Sequence, residues 1–160
     1  MISPQLIAEI RDRYRLDWDG IHGVAHWARV RNNGLALAAR NGANVRVIEV
    51  FSFIHDACRL SDGYDPDHGP RAAAFASSIN QNLLMLSAEE LAELVDACTH
   101  HTRGFTTGFS ITVLTCWDSD RLDLGRVGIV PKPEYLCTET ARDRDVIAWA
   151  TRNSTSGPLC

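Results

Sequence analysis

Lysine is nearly missing from this chain: Lys132 is the single one, and arginine carries the rest of the positive charge. Base composition of a genome can account for such a bias, although arginine is also the better fork for a phosphate group. There is no surplus of positive charge either. The formal net charge of −4 and the pI near 5.8 argue against a protein whose main task is coating nucleic acid, and leave room for a local basic pocket. No apolar run reaches the roughly 18 residues that a spanning helix needs. The N-terminal MISPQLIAEIRDRYR is amphipathic and charged where a signal sequence would be apolar, so the chain is expected to be cytoplasmic, with no membrane partner. The five cysteines, Cys58, Cys98, Cys116, Cys137 and Cys160, are odd in number, scattered and without a CxxC pair. That pattern suggests neither a disulfide framework nor a thiolate zinc site, and predicts free thiols that mostly fill the core. Sustained alternation of apolar and polar residues is also absent, which excludes a half-buried sheet and predicts an all-α fold.

What is present fits one helical domain. A chain of 160 residues, 45% hydrophobic and 22% charged, has the composition of a globular protein. It is long enough to bury about two thirds of its unfolded surface. The domain is expected over residues 1–152, as a bundle of six to seven helices, with 153–160 as a frayed tail. Ser3-Pro4 starts a first helix whose Leu6, Ile7, Ile10 and Tyr14 share a face. A second is expected over His22–Arg40, ending near Asn41-Gly42, and a third over Asn44–Cys58. The loop SDGYDPDHG precedes a fourth helix in RAAAFASSINQNLL, and Ser87-Ala88-Glu89-Glu90 has the form of a capping box that opens a fifth. A sixth spans Ile111–Leu122, and Thr138 caps a last one that reaches Thr151.

The chemistry lies in the histidines and in the residues they accompany. All six fall between positions 22 and 101: His22, His26, His55, His68, His100 and His101. In FSFIHDACRL, His55 and Asp56 follow Phe51, Phe53 and Ile54 on a segment that looks ready to enter a core. Even a polar group buried without a partner costs about 2–7 kcal/mol, so something must face this pair. His22 and His26 are four apart and would share a helical face, and Asp118 stands beside Trp117 in another apolar helix. Separate helices thus present imidazole and carboxylate groups toward a common interior. A divalent metal would let a buried carboxylate stay ionised and an imidazole stay neutral. A set of nitrogen and oxygen ligands suits iron, manganese, zinc or cobalt. The alternative is a hydrogen-bonded His–Asp pair with no metal.

HxxRV at His26–Val30, the adjacent His55-Asp56 and DxDRLD at Asp118–Asp123 together resemble the HD-domain superfamily of metal-dependent phosphohydrolases, over residues 20–130 or so. The resemblance implies an all-helical bundle whose metal is held by His26, His55, Asp56 and Asp118. Members with a second ion add two histidines between the HD pair and the final Asp. The candidates for these are His68 and either His100 or His101, with His100 preferred along the spacing Leu94, Val95 and Cys98; one or two ions are therefore expected. In the related cyclic-nucleotide phosphodiesterases a histidine four residues before the first ligand gives a proton to the leaving oxygen. His22 has that spacing, although Gly23 stands where those enzymes carry Asn.

The expected reaction is hydrolysis of a phosphate ester or anhydride of a small phosphorylated substrate, such as a nucleotide. Hydroxide generated at the metal would be the nucleophile and His22 the acid. Arg71 is the first candidate for holding the phosphoryl oxygens, because it follows His68 by three positions near a helix start. Two other readings stay open: a dinuclear iron oxygenase of the myo-inositol oxygenase type, and a noncatalytic metal-stabilised ligand-binding domain. A homodimer is implied only by the superfamily.

Overall fold

The computed structural model describes residues 2–155, and among these there are eight α-helices and no strand. Several helices begin where a side chain satisfies their free N–H groups, whereas the second and fourth start without such a cap. Ser3 accepts from Leu6 N at the head of α1 (Pro4–Arg13), and Asn44 accepts from Arg46 and Val47 at the head of α3 (Val45–Ile54). Between them lies α2 (Val24–Asn41), which Gly42 terminates in the left-handed region at φ 75°. The fourth helix, α4 (His68–Ile79), passes into a π-helical turn at Asn80–Leu84. The capping box at Ser87 and Glu90 opens α5 (Ala88–His100), and Ser110 opens α6 (Ile111–Arg121). Two short 3₁₀ turns then lead to α7 (Glu139–Arg142) and α8 (Arg144–Thr155).

Helix α2 packs between α3 and α6, and α5 packs on α3 and α4. The buried faces of these helices form one core around Trp27, Phe51, Ile54, Leu94 and Trp117. A smaller cluster of Leu37, Leu122, Leu136, Ala141, Ile147 and Ala150 docks α7 and α8 on the rest. Helices α4 and α5 meet at Gly69, where an added Cβ would lie 2.4 Å from the Cys98 carbonyl oxygen. No helix of the described residues is long and apolar enough to cross a membrane. Cys58, Cys98, Cys116 and Cys137 are free thiols, the last three buried, and Cys160 lies outside the described residues.

Several boundaries differ from those the sequence predicts. Helix α2 starts at Val24, so His22 lies in the turn before it: Val24 N donates to the Trp18 carbonyl, against which Gly23 is too close to carry a Cβ. Helix α3 stops at Ile54, and His55–Cys58 form turns, while α4 begins three residues before Arg71, at His68. The last helix is two, because Asp143 is extended (ψ 125°) and its side chain accepts from Asp145 N. Residues 153–155 are the end of α8, with Ser154 buried, and do not belong to a frayed tail; 156–160 lie outside the described residues.

Candidate metal centre

The bundle's polar core begins with the place of each ring in its element. His26 sits in the first turn of α2, His55 at the C-terminus of α3, His68 at the first residue of α4 and His101 just past the end of α5. Four helix ends therefore converge, and all four rings are at most 4% exposed. Asp56, 3% exposed, lies between them. Its Oδ2 is 3.7 Å from His26 Nε2 and 3.6 Å from His55 Nε2. Its Oδ1 is 3.2 Å from His68 Nε2 and 3.8 Å from His101 Nε2. Asp120 Oδ1 closes the first pair from the other side, at 3.4 and 3.8 Å from His26 and His55 Nε2.

The outer nitrogen of every ring is engaged. His26 Nδ1 meets Asp123 Oδ2 at 2.7 Å, and the Nδ1 atoms of His55, His68 and His101 meet the carbonyls of Phe51, Asp65 and Cys98. An acceptor oxygen assigns the ring proton to Nδ1, so each neutral imidazole turns its Nε2 lone pair inward. Those lone pairs face each other closely: 3.2 Å between His26 and His55, and 2.9 Å between His68 and His101. Lone pairs at such separations repel unless a cation stands between them. Two imidazole nitrogens bound at about 2.0–2.1 Å to a tetrahedral ion stand about 3.3 Å apart, close to what is found. The His26, His55, Asp56 set and the Asp56, His68, His101 set could each hold a metal ion, sharing the Asp56 carboxylate.

The electrostatics favour ionised carboxylates in the cluster. Burial opposes ionisation of Asp56 and Asp120, yet the surrounding imidazoles outweigh it and hold both well below the usual carboxylate range. Burial drives His55 down to about 4. For His26 and His101 burial is overcome by carboxylates, Asp120 and Asp123 for the first and Asp56 for the second, and both are raised. Asp123 is itself fixed by Arg29, at 2.7 Å to Nε, and by the Ser154 hydroxyl, so α8 supports the orientation of His26 from behind.

No family model matches the sequence, and no curated protein matches it. A solved structure of a predicted HD superfamily hydrolase from an uncultured Thermotogales bacterium is similar to this chain, with a TM-score of 0.71 and 25% identity. The match covers 92% of this chain and 84% of that one. The chain has the HD-domain fold.

The HD domain gathers His26, His55, Asp56 and His68 at one point, as the motifs imply, and does not bring Asp118 or His100 there. Asp118 is buried on the opposite side of α6, where its oxygens accept from Cys137 N at 2.6 Å, Thr138 N at 2.8 Å and the Thr138 hydroxyl. Burial raises its pKa against these donors. It anchors the cap of α7, and Asp120 faces the imidazoles in its place. His100 points among Phe105 and Phe109, and His101 takes the position in the cluster. Arg71 is occupied elsewhere: its guanidinium pairs with both oxygens of Asp65 and donates to the Cys58 carbonyl.

His22, 7% exposed, lies beside the centre with its ring 6.4 Å from that of His26. Its Nδ1 meets Asp62 Oδ1 at 2.8 Å, and burial lowers its pKa in spite of that carboxylate. The sequence reading missed Arg59, three residues after Asp56, which donates from Nε to Asp56 Oδ1 at 2.9 Å and from Nη1 to the Ser61 carbonyl. Arg59 also lines a cleft of about 370 Å³ that opens on His68, with Tyr64, Thr102 and Arg103.

Proposed function

We propose that this chain is a metal-dependent phosphohydrolase acting on a small phosphate ester or anhydride. The observation that carries the proposal is the Asp56 carboxylate set between two pairs of inward-facing Nε2 atoms. In this reading His26, His55, Asp56 and Asp120 would hold one divalent transition ion, and Asp56, His68 and His101 would hold a second. Such ions supply a nucleophile at neutral pH, by lowering the pKa of water toward about 7, and neutralise charge that builds on phosphoryl oxygens.

The chain's own groups do the remaining work. Asp123 and three backbone carbonyls keep the imidazoles in the tautomer that presents Nε2 inward. Arg59 holds the shared carboxylate from the side of the cleft, and Arg103 is the free guanidinium at the cleft wall available to a phosphoryl oxygen. His22, with Asp62 orienting Nδ1, gives the leaving oxygen a proton from Nε2 when doubly protonated. The Thermotogales protein, a predicted hydrolase, supports hydrolysis as the reaction class.

The test is elemental analysis of protein purified without chelator, followed by phosphate release from a panel of nucleotides and simple phosphomonoesters. Close to two equivalents of iron, manganese, zinc or cobalt per chain and release of phosphate are expected, with metal and activity lost together in Asp56→Ala. Oxygen consumption without phosphate release would redirect the assignment to an oxygenase, and bound metal without turnover of either kind to a noncatalytic domain.

A further inference from the structure

A second cleft, of about 460 Å³, lies on the other side of Arg59 between the end of α1, the turn after Asp56 and the outer face of α4. None of the imidazoles of the metal centre lines it. Its distinctive feature is charge: Arg13, Arg15, Arg59 and Arg71 all face it, in a chain whose net charge is negative. The first two arrive together for a local reason. Tyr14 caps α1 in an extended conformation and turns its ring into the core against Trp18 and Trp27, so the residues on either side of it share the opposite, outward face.

The carboxylates that touch these guanidinium groups belong to the surrounding walls. Asp65 holds Arg71, Asp56 holds Arg59, and Glu9 is 3.5 Å from Arg13 along the exposed side of α1. No acidic residue lines the cleft, and Arg15 has no ion pair among the described residues. The floor, in contrast, is apolar. Phe75, only 4% exposed, closes the base beneath the Arg13 guanidinium, 4.3 Å from the ring centroid, and Leu60 forms an exposed apolar edge. A pocket in the size range of small-molecule sites, with cationic forks beside an exposed apolar edge, selects an anion that carries an apolar body.

We propose that this cleft binds a small organic phosphate, its dianionic head held by the Arg13 and Arg15 guanidinium groups and its apolar part against the exposed Leu60 side chain. The site is separate from the metal centre, is joined to it through Arg59, and holds its ligand whether or not that centre is hydrolytic.

The probe is phenylphosphonate, which has no ester bond to hydrolyse, titrated calorimetrically into the full chain with its metal, with inorganic phosphate as the comparison. Phenylphosphonate is expected to bind more tightly than inorganic phosphate. Arg15→Ala, at an exposed position without an ion pair, is expected to weaken it about tenfold, the loss of one charge-assisted hydrogen bond. Ser78→Trp, whose indole would occupy the cleft, is expected to abolish it, with circular dichroism showing that both variants are folded. Absence of binding at millimolar concentration, equal affinity for inorganic phosphate, or unchanged affinity in Arg15→Ala would overturn the proposal. The last result would mean that the anion sits at the metal centre.

Discussion

Asp118 and Asp120 are two residues apart on α6 and face nearly opposite ways, so their replacement has different consequences. Asp120→Asn removes a charged oxygen next to His26 and His55 while leaving the packing of α6 untouched. Retained helicity and thermal stability, loss of at least one metal equivalent and loss of hydrolysis are expected, read by circular dichroism and elemental analysis. Asp118→Ala strips three donors of their acceptor in a buried place, at a cost of about 2–4 kcal/mol. Its folded fraction should still carry metal. A third substitution tests proton donation: His22→Ala is expected to slow hydrolysis of alkyl phosphates by about 10²-fold and to spare p-nitrophenyl phosphate, whose leaving group needs no acid. Equal slowing of both substrates would sink the acid role. The aspartate that faces the imidazoles was legible in the residues only in part, through apolar spacing. Val113, Cys116 and Trp117 are the buried apolar residues of α6, and 120 continues their spacing, but Thr115, Asp118 and Ser119 are just as buried, so the polar side of the helix hides the distinction. Likewise Leu94, Ala97 and Cys98 lead to His101, whereas Val95, half-buried, pulls the spacing toward His100. Arg59 had no such signal, because its role depends on a turn that brings its guanidinium back onto Asp56.

At the scale of elements, the centre exists because helix ends converge on it, and α4 and α5 must approach closely for His68 and His101 to meet. Gly69 permits that approach. Gly69→Ala places a methyl group against the Cys98 carbonyl, whose neighbours Cys98 and His101 are both buried, so the helices must separate. Destabilisation of about 1–3 kcal/mol is expected from overpacking, together with a fall in bound metal from two equivalents toward one, since only the His68–His101 side is displaced. Denaturant unfolding and metal analysis of the same preparation check it; loss of both ions together would mean that the two positions do not separate. The elements themselves were readable because their caps are local: Ser3, Asn44, Ser87, Ser110 and Thr138 each sit at the head of a helix. Boundaries set by tertiary contact were not. The start of α2 depends on Trp18 meeting Val24, and the support that α8 gives to Asp123 through Ser154 joins positions 31 residues apart.

For the molecule as a whole, the proposed metal centre is expected to oppose the fold when empty and support it when filled. Four imidazoles and two carboxylates occupy its middle, and where both rings of a pair are neutral with Nδ1 protonated, their Nε2 lone pairs meet at 2.9 and 3.2 Å. Unfolding releases that repulsion, so the metal-free chain is less stable than its apolar core would make it. Cations that bind the folded chain and not the unfolded one stabilise it by mass action, by about 4 kcal/mol when the free ion exceeds its dissociation constant a thousandfold. For a domain of this length each kcal/mol moves the melting temperature by about 2–4 °C, so chelation is expected to lower it by roughly 10 °C and readdition to restore it. The comparison that isolates the cause is Asp56→Asn, which removes the shared charge. Its melting temperature should barely respond to chelator, while that of Asp118→Asn, already lowered by the weakened cap of α7, should fall by the full increment. A melting temperature of the unaltered chain that ignores both chelator and metal would show that the inward-facing imidazoles are reconciled by protons alone, and the dinuclear reading would fall with it.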